Sequence, residues 1–256
     1  MRILRPLLVL ATAATVIAAC GGGEGTSDPT TAPRASETTT AAATIATEPA
    51  ATGVQPVDGL VATAKGELAV YASTAATTPA STLPAQTEFG SPMTVRVVGW
   101  DGTEGEWLEV LLPVRPNGSR GFVRQADVEL AHVEYAVDVD LATRTLRVFE
   151  GDALVLETAV AIGAEENPTP TGDFYVTDVL DTGDDGSAYG RKALGVAAHS
   201  TELSEFGGGD GQIGIHGTNQ PSSIGQAVSH GCVRVPNDIV TQLAQNLPLG
   251  TPVTIH

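Results

Sequence analysis

Basic side chains are scarce in this chain. Thirteen Lys and Arg stand against thirty Asp and Glu, a formal net charge of −17 over 256 residues. So little positive charge cannot neutralise a phosphate backbone, and nucleic acid is excluded as an expected partner. Cysteine is scarcer still. There are two, and Cys20 closes an apolar N-terminal leader, so the rest of the chain holds Cys232 alone and no disulfide of its own. A folded region there must rely on its own core. Long apolar runs are missing too, because the leader's stretch from Leu7 to Ile17 is too short to span a bilayer comfortably.

What is present begins with "MRILRPLLVLATAATVIAACGGG". Arg2 and Arg5 give a basic start, and Ala18 and Ala19 a small-residue cleavage site. Small residues running into Cys20 and a glycine run resemble a bacterial lipoprotein signal. That resemblance implies removal of residues 1–19 and a lipid on the Cys20 sulfur, holding the protein at the outer face of the plasma membrane, towards the cell wall. Loss of Arg2 and Arg5 would leave eleven of the thirteen basic residues against the thirty acidic ones. Residues 20–57 are Thr, Ala, Pro, Gly and Glu with almost no large apolar side chains, too little to offset the entropy of ordering; they read as a disordered tether.

Residues 58–131 change character. "TVRVVGW" and "EWLEVLL" are strand-like, and Pro116-Asn117-Gly118 between two apolar runs marks a hairpin. Short strands at this spacing predict a small β-barrel. "GEWLEVLLP" followed by "NGSRGFVRQADVEL" is similar to a bacterial SH3-like module. Trp100 and Trp107 read either as ligand-stacking aromatics or as core.

Residues 132–256 form a second domain. Val133, Tyr135, Val137, Val139 and Leu141 alternate as in a half-buried strand. "TLRVF" and "ALVLETAVAIG" flank a Glu150-Gly151-Asp152 turn, and "NPTPTGDFYV" runs from a turn into a strand. "DTGDDGSAYG" reads as a mobile surface loop; it lacks the spacing of a calcium-binding loop. "NDIVTQLAQNLPLG" predicts the one clear helix, capped by Asn237, with Ile239, Val240, Leu243 and Leu247 on one face. The fold class is mainly β.

A lone thiol beside histidines raises the question of a nucleophile. Free cysteine is mostly protonated near neutral pH and needs a base, for which histidine is suited. His216 lies sixteen residues before Cys232, and the intervening "NQPSS" is rich enough in turn residues to bring the two together. Gly231 lets backbone N–H groups approach a substrate oxyanion. His230 is the other candidate base, although close neighbours on a strand face opposite ways. His216, His230 and Cys232, with His199, also read as a zinc set, but no ligand-pair spacing supports it and no metal is expected.

The stretch "IHGTNQPSSIGQAVSHGCVRVP" resembles the signature of the L,D-transpeptidase (YkuD-type) catalytic domain, and the likeness extends over residues 133–256, through "VDVDLATRTLRVF", "TPTG" and "GTPVTIH". The resemblance implies a β-sandwich-like fold and a peptidoglycan L,D-transpeptidase without cofactor. Donor and acceptor stem peptides are the implied partners, joined by a 3→3 cross-link through a thioester. Cys232 is then the nucleophile, His216 the base and acid, and the Gly217 carbonyl the group that orients the ring; many relatives have serine at 217. Gly231 and Cys232 N–H groups are oxyanion candidates, and Ser229 and His230 shape the pocket. Arg234 either grips a substrate carboxylate or pairs with an acidic neighbour. Carbapenem β-lactams are implied acylating inhibitors. Capture of the acyl group by water, giving an L,D-carboxypeptidase or endopeptidase, and a non-catalytic wall-binding lipoprotein are the alternatives.

Overall fold

The computed structural model describes residues 58–100, 106–206 and 209–256. The leader, Cys20 and the tether lie outside the described residues. The first module comprises β1 (Leu60–Ala64), β2 (Leu68–Val70), β3 (Ser81–Leu83), β4 (Thr94–Trp100), β5 (Trp107–Leu111), β6 (Arg120–Arg124) and β7 (Val128–His132). Five of these form an antiparallel sheet in the order β6-β5-β4-β1-β7, with β2 and β3 as a separate hairpin. β-Branched residues alternate along β4, burying Val95 and Val97 while Arg96 faces outwards. The Pro116-Asn117-Gly118 turn joins β5 to β6 as the sequence predicts. Trp107 belongs to the core: it is buried, edge-on to Tyr71 at 4.9 Å, under the Arg124 guanidinium at 3.6 Å. Trp100 packs partly buried against the cluster that includes Val95, Val97 and Leu108.

The second module follows with β8 (Tyr135–Asp140), β9 (Thr145–Glu150), β10 (Ala153–Ala159), β11 (Ile162–Gly163), β12 (Gly172–Asp181), β13 (Lys192–His199), β14 (Gln212–His216), β15 (Ala227–Ser229), β16 (Val233–Arg234), α1 (Asn237–Asn246) and β17 (Pro252–Ile255). Eight strands make one mixed sheet in the order β10-β9-β8-β17-β12-β13-β14-β16, and β11 pairs with β15. The Glu150-Gly151-Asp152 turn closes the β9–β10 hairpin, with Gly151 at φ +56°. Val137 and Val139 point into the core, as their alternation predicts.

The helix forms where expected but starts differently. Pro236 takes the cap position, and the Asn237 carboxamide makes no capping bond. Its Oδ1 instead accepts the Thr218 N–H at 2.7 Å, so a tertiary contact has taken the local cap's oxygen. Val240, Leu243 and Leu247 enter the core, with Ile239 partly buried against it.

Strand β12 links the two cores. Successive side chains leave a strand on opposite faces. Phe174 and Val176 therefore join the core of the second module, and Tyr175 enters that of the first. Ala197 does the same on β13. The Tyr175 hydroxyl donates to the Leu111 carbonyl at 3.2 Å, and burial raises the phenol's pKa far above its ordinary value. Arg115, from the β5–β6 turn, donates to the carbonyls of Ser200 (2.6 Å), Leu203 (2.9 Å) and Asp210 (2.8 Å). Asn117 exchanges two bonds of 2.8 Å with the His199 backbone. At Gly250, φ +83°, a Cβ would lie 2.4 Å from Val61 Cγ1, so only glycine admits this approach of the modules.

Candidate active site

The site is assembled at the ends of neighbouring strands. β14 and β16 run parallel, Ile215 opposite Val233 and His216 opposite Arg234, so Cys232 enters just ahead of β16 beside Gly214. The Gly214 N–H donates to Cys232 Sγ at 3.4 Å. His216 is the last residue of β14, 4% exposed, and its Nδ1 lies 2.6 Å from the Gly217 carbonyl oxygen. A carbonyl only accepts, so Nδ1 carries the hydrogen and Nε2 is left as the basic nitrogen. Both side chains line one cleft of about 440 Å³.

Electrostatics fix the resting state. Burial lowers the His216 pKa from 6.5 to about 4, the Gly217 carbonyl opposing and the Arg234 charge adding to the effect. Burial raises the Cys232 thiol, against the Gly214 N–H and Arg234. At neutral pH the pair is therefore neutral thiol and neutral imidazole.

Ser229 is buried and braces the nucleophile's turn. Its hydroxyl accepts the Gly231 N–H at 3.2 Å and donates to the Cys232 carbonyl at 2.6 Å. This corrects the expectation for Gly231, whose N–H is turned into Ser229 rather than towards an oxyanion; its φ of +116° explains the glycine. His230 is exposed and stacks on Phe206 at 4.9 Å, away from the role of base. Arg234 lies outside the cleft wall. Its backbone pairs with Ala161, and its buried Nε has no hydrogen-bond partner among the described residues. The acidic neighbour considered for it is not seen there. Nor do the described residues contain a cluster of three His, Cys, Asp or Glu groups able to hold a metal; His199 faces Asp210 at 2.9 Å instead.

Sequence reasoning missed Tyr189. The "DTGDDGSAYG" segment is a surface loop, as its composition suggests, and it carries hydrogen bonds of its own. Gly183 N–H donates to Asp181 Oδ1, Gly186 N–H to Asp184 Oδ1, and Gly190 N–H to the Ser187 carbonyl. These bonds hold the Tyr189 ring 4.8 Å from that of His216. A single aromatic in a glycine- and aspartate-rich loop was the available signal.

Residues 134–255 match the family model of the YkuD L,D-transpeptidase catalytic domain. The YkuD protein of Bacillus licheniformis is 37% identical over 123 residues, 48% of this chain and 66% of that protein. The YqjB protein of Bacillus subtilis is 35% identical over 130 residues, 46% of this chain and 69% of that one. A solved protein of Bdellovibrio bacteriovorus is 29% identical over 48% of each chain, with a TM-score of 0.38. The match thus spans about two thirds of the length of each of these two curated relatives. On the family match and these identities, the chain belongs to the YkuD-type L,D-transpeptidase family.

Proposed function

We propose that this protein is a cysteine-dependent peptidoglycan L,D-transpeptidase that forms 3→3 cross-links. The observation that carries the reading is that Cys232 and His216 share one cleft wall, with the imidazole tautomer set by Gly217. Cys232 Sγ attacks the carbonyl at the L-centre of the third stem residue while His216 Nε2 takes the thiol proton. The Cys232 N–H keeps the oxyanion assignment that Gly231 loses. As the tetrahedral species collapses, the C–N bond breaks and His216 returns the proton to the departing D-alanine amine, leaving a thioester. An amine of a neighbouring stem then attacks. The C–S bond breaks, an amide forms, and the proton returns through His216 to the sulfur. Arg234, outside the cleft wall, acts in this reading through its charge, which opposes the burial that raises the Cys232 thiol, rather than by gripping a substrate carboxylate.

The leader and Cys20 support a lipoprotein held at the outer face of the plasma membrane. The tether and the SH3-like first module would then present the cleft to the wall. Replacing Cys20 with Ala releases the protein into the medium in this reading; retention at the membrane argues against the lipid.

The test of the chemistry is to incubate the protein with tetrapeptide-stem fragments and weigh the products by mass spectrometry. Loss of D-alanine with two stems joined supports the proposal. Loss of D-alanine with only water gained makes the protein a carboxypeptidase. A Cys232→Ala variant that processes stems as well as the parent removes the thiol from the mechanism. A carbapenem is expected to add its mass to the peptide containing Cys232.

A further inference from the structure

The cleft around Cys232 and His216 is not built from the family-matched residues alone. Its wall includes Glu88 and Phe89, which belong to the first module and lie well before residue 134. They occupy the tip of a tight turn. Gly90 N–H donates to the Thr87 carbonyl (3.0 Å), Thr87 N–H to the Ser91 carbonyl (2.9 Å), and Ser91 N–H to the Thr87 hydroxyl (3.2 Å). The same hydroxyl donates to Asp178 Oδ1 at 2.5 Å. Asp178 is 1% exposed on β12, so a buried carboxylate of the second module fixes the turn in place. The tip is thus held against the second module, at the cleft that Glu88 and Phe89 line.

Charge decides what this wall receives. The lining carries two carboxylates, Glu88 and Asp210, and neither Lys nor Arg. Asp210 is engaged: one oxygen faces His199 Nε2 and the other accepts the Gln212 N–H. Glu88 makes no ion pair or side-chain hydrogen bond among the described residues. Beside it Phe89 is 50% exposed, and Phe206 in the same wall 42%. An uncommitted carboxylate beside the open Phe89 ring, in a lining without Lys or Arg, is the chemistry that recognises an ammonium group on an aliphatic stem.

We propose that Glu88 and Phe89 form the docking subsite for the primary ammonium group of the acceptor peptide, so that the first module contributes to acceptor specificity. This rests on the transpeptidase reading, in which an amine must reach the Cys232 thioester. The docked ammonium loses one proton to solvent, and the neutral amine then attacks as described above.

The test measures binding without turnover. A stem tripeptide with a free side-chain amine, and the same peptide acetylated on that amine, are titrated by calorimetry into the full chain carrying Cys232→Ala. The amine peptide is expected to bind about fivefold more tightly than its acetylated form, in the range of a charge-assisted contact at a partly exposed site. Adding Glu88→Gln erases that preference and leaves the acetylated peptide's affinity unchanged, and high salt has the same effect. Adding Phe89→Ala weakens both peptides. Equal binding of the two peptides to the Cys232→Ala chain, or a preference that survives Glu88→Gln, overturns the proposal. Carbapenem acylation of the unsubstituted chain separates the two readings. An amine preference that depends on Glu88 with no acylation removes the transpeptidase reading alone, and acylation with no such preference removes the subsite alone.

Discussion

The ring of Tyr189 sits 4.8 Å from the imidazole of His216, tilted by 59°. Tyr189 is itself 40% exposed, so it forms part of the layer between the histidine and water. Because burial is the main cause of the depressed His216 pKa, thinning that layer must raise it. In the parent, the acid limb of kcat/KM is expected near pH 4, with the base competent through neutrality. Tyr189→Ala should move the limb upwards by about one unit, whereas Tyr189→Phe should leave it in place. A pH–rate series on the three proteins checks this; an unmoved limb in Tyr189→Ala means the phenol does not shield the base.

The same depression makes stability depend on pH. Between pH 6.5 and about 4, His216 binds a proton in the unfolded chain and not in the folded one. Stability therefore rises with pH through this window and is lost on acidification, by about 3 kcal/mol in all. Asp140 and Asp181 have carboxyl groups held below their ordinary value of 3.8 by hydrogen bonds, so their contributions fade only at more acidic pH. Urea midpoints at pH 7, 5.5 and 4 should fall steadily for the parent and much less for His216→Asn.

Gly217 is constrained by more than its carbonyl. A Cβ there would lie 2.2 Å from Asn237 Oδ1 and 3.1 Å from the Gly190 Cα. Oδ1 cannot simply swing aside, because it holds the Thr218 N–H. Gly217→Ala should cost about 1–2 kcal/mol, mainly through that lost bond. Asn237→Ala should cost about 1 kcal/mol alone, and the double variant less than the two combined. Strictly additive losses in a double-mutant cycle would show that the contact is not shared.

These contacts also mark what the sequence could and could not reveal. His216 and Cys232 were legible because a turn-rich loop of known length separates them, and Val137 and Val139 because alternation is local. Asn237 misled because the capping rule sees only the helix, while Thr218, nineteen residues earlier, competes for the same oxygen. Gly231 misled because glycine signals backbone freedom without saying where its N–H points. Tyr189 was hidden in a glycine- and aspartate-rich loop, where composition does not say which way the one aromatic ring is turned. Glu88, Phe89 and Arg115 were beyond reach, since they meet the second module only through the packing of two separate sheets.

That packing yields the last expectation. Tyr175 is fully buried, but in the first module's core rather than its own, and Ala197 accompanies it. Two cores joined through adjacent residues of one strand should unfold together, in a single transition by both far-UV circular dichroism and tryptophan fluorescence. Trp100 and Trp107 both lie in the first module, so fluorescence follows that half while circular dichroism follows the whole. Tyr175→Phe removes only the bond to the Leu111 carbonyl and should cost about 1 kcal/mol. Tyr175→Ala leaves a cavity at the junction and should cost about 3–5 kcal/mol, with the two signals separating into distinct midpoints. Coincident midpoints in Tyr175→Ala would mean that Arg115 and Asn117, with their five bonds to the Ser200, Leu203, Asp210 and His199 backbone, couple the modules without the buried ring.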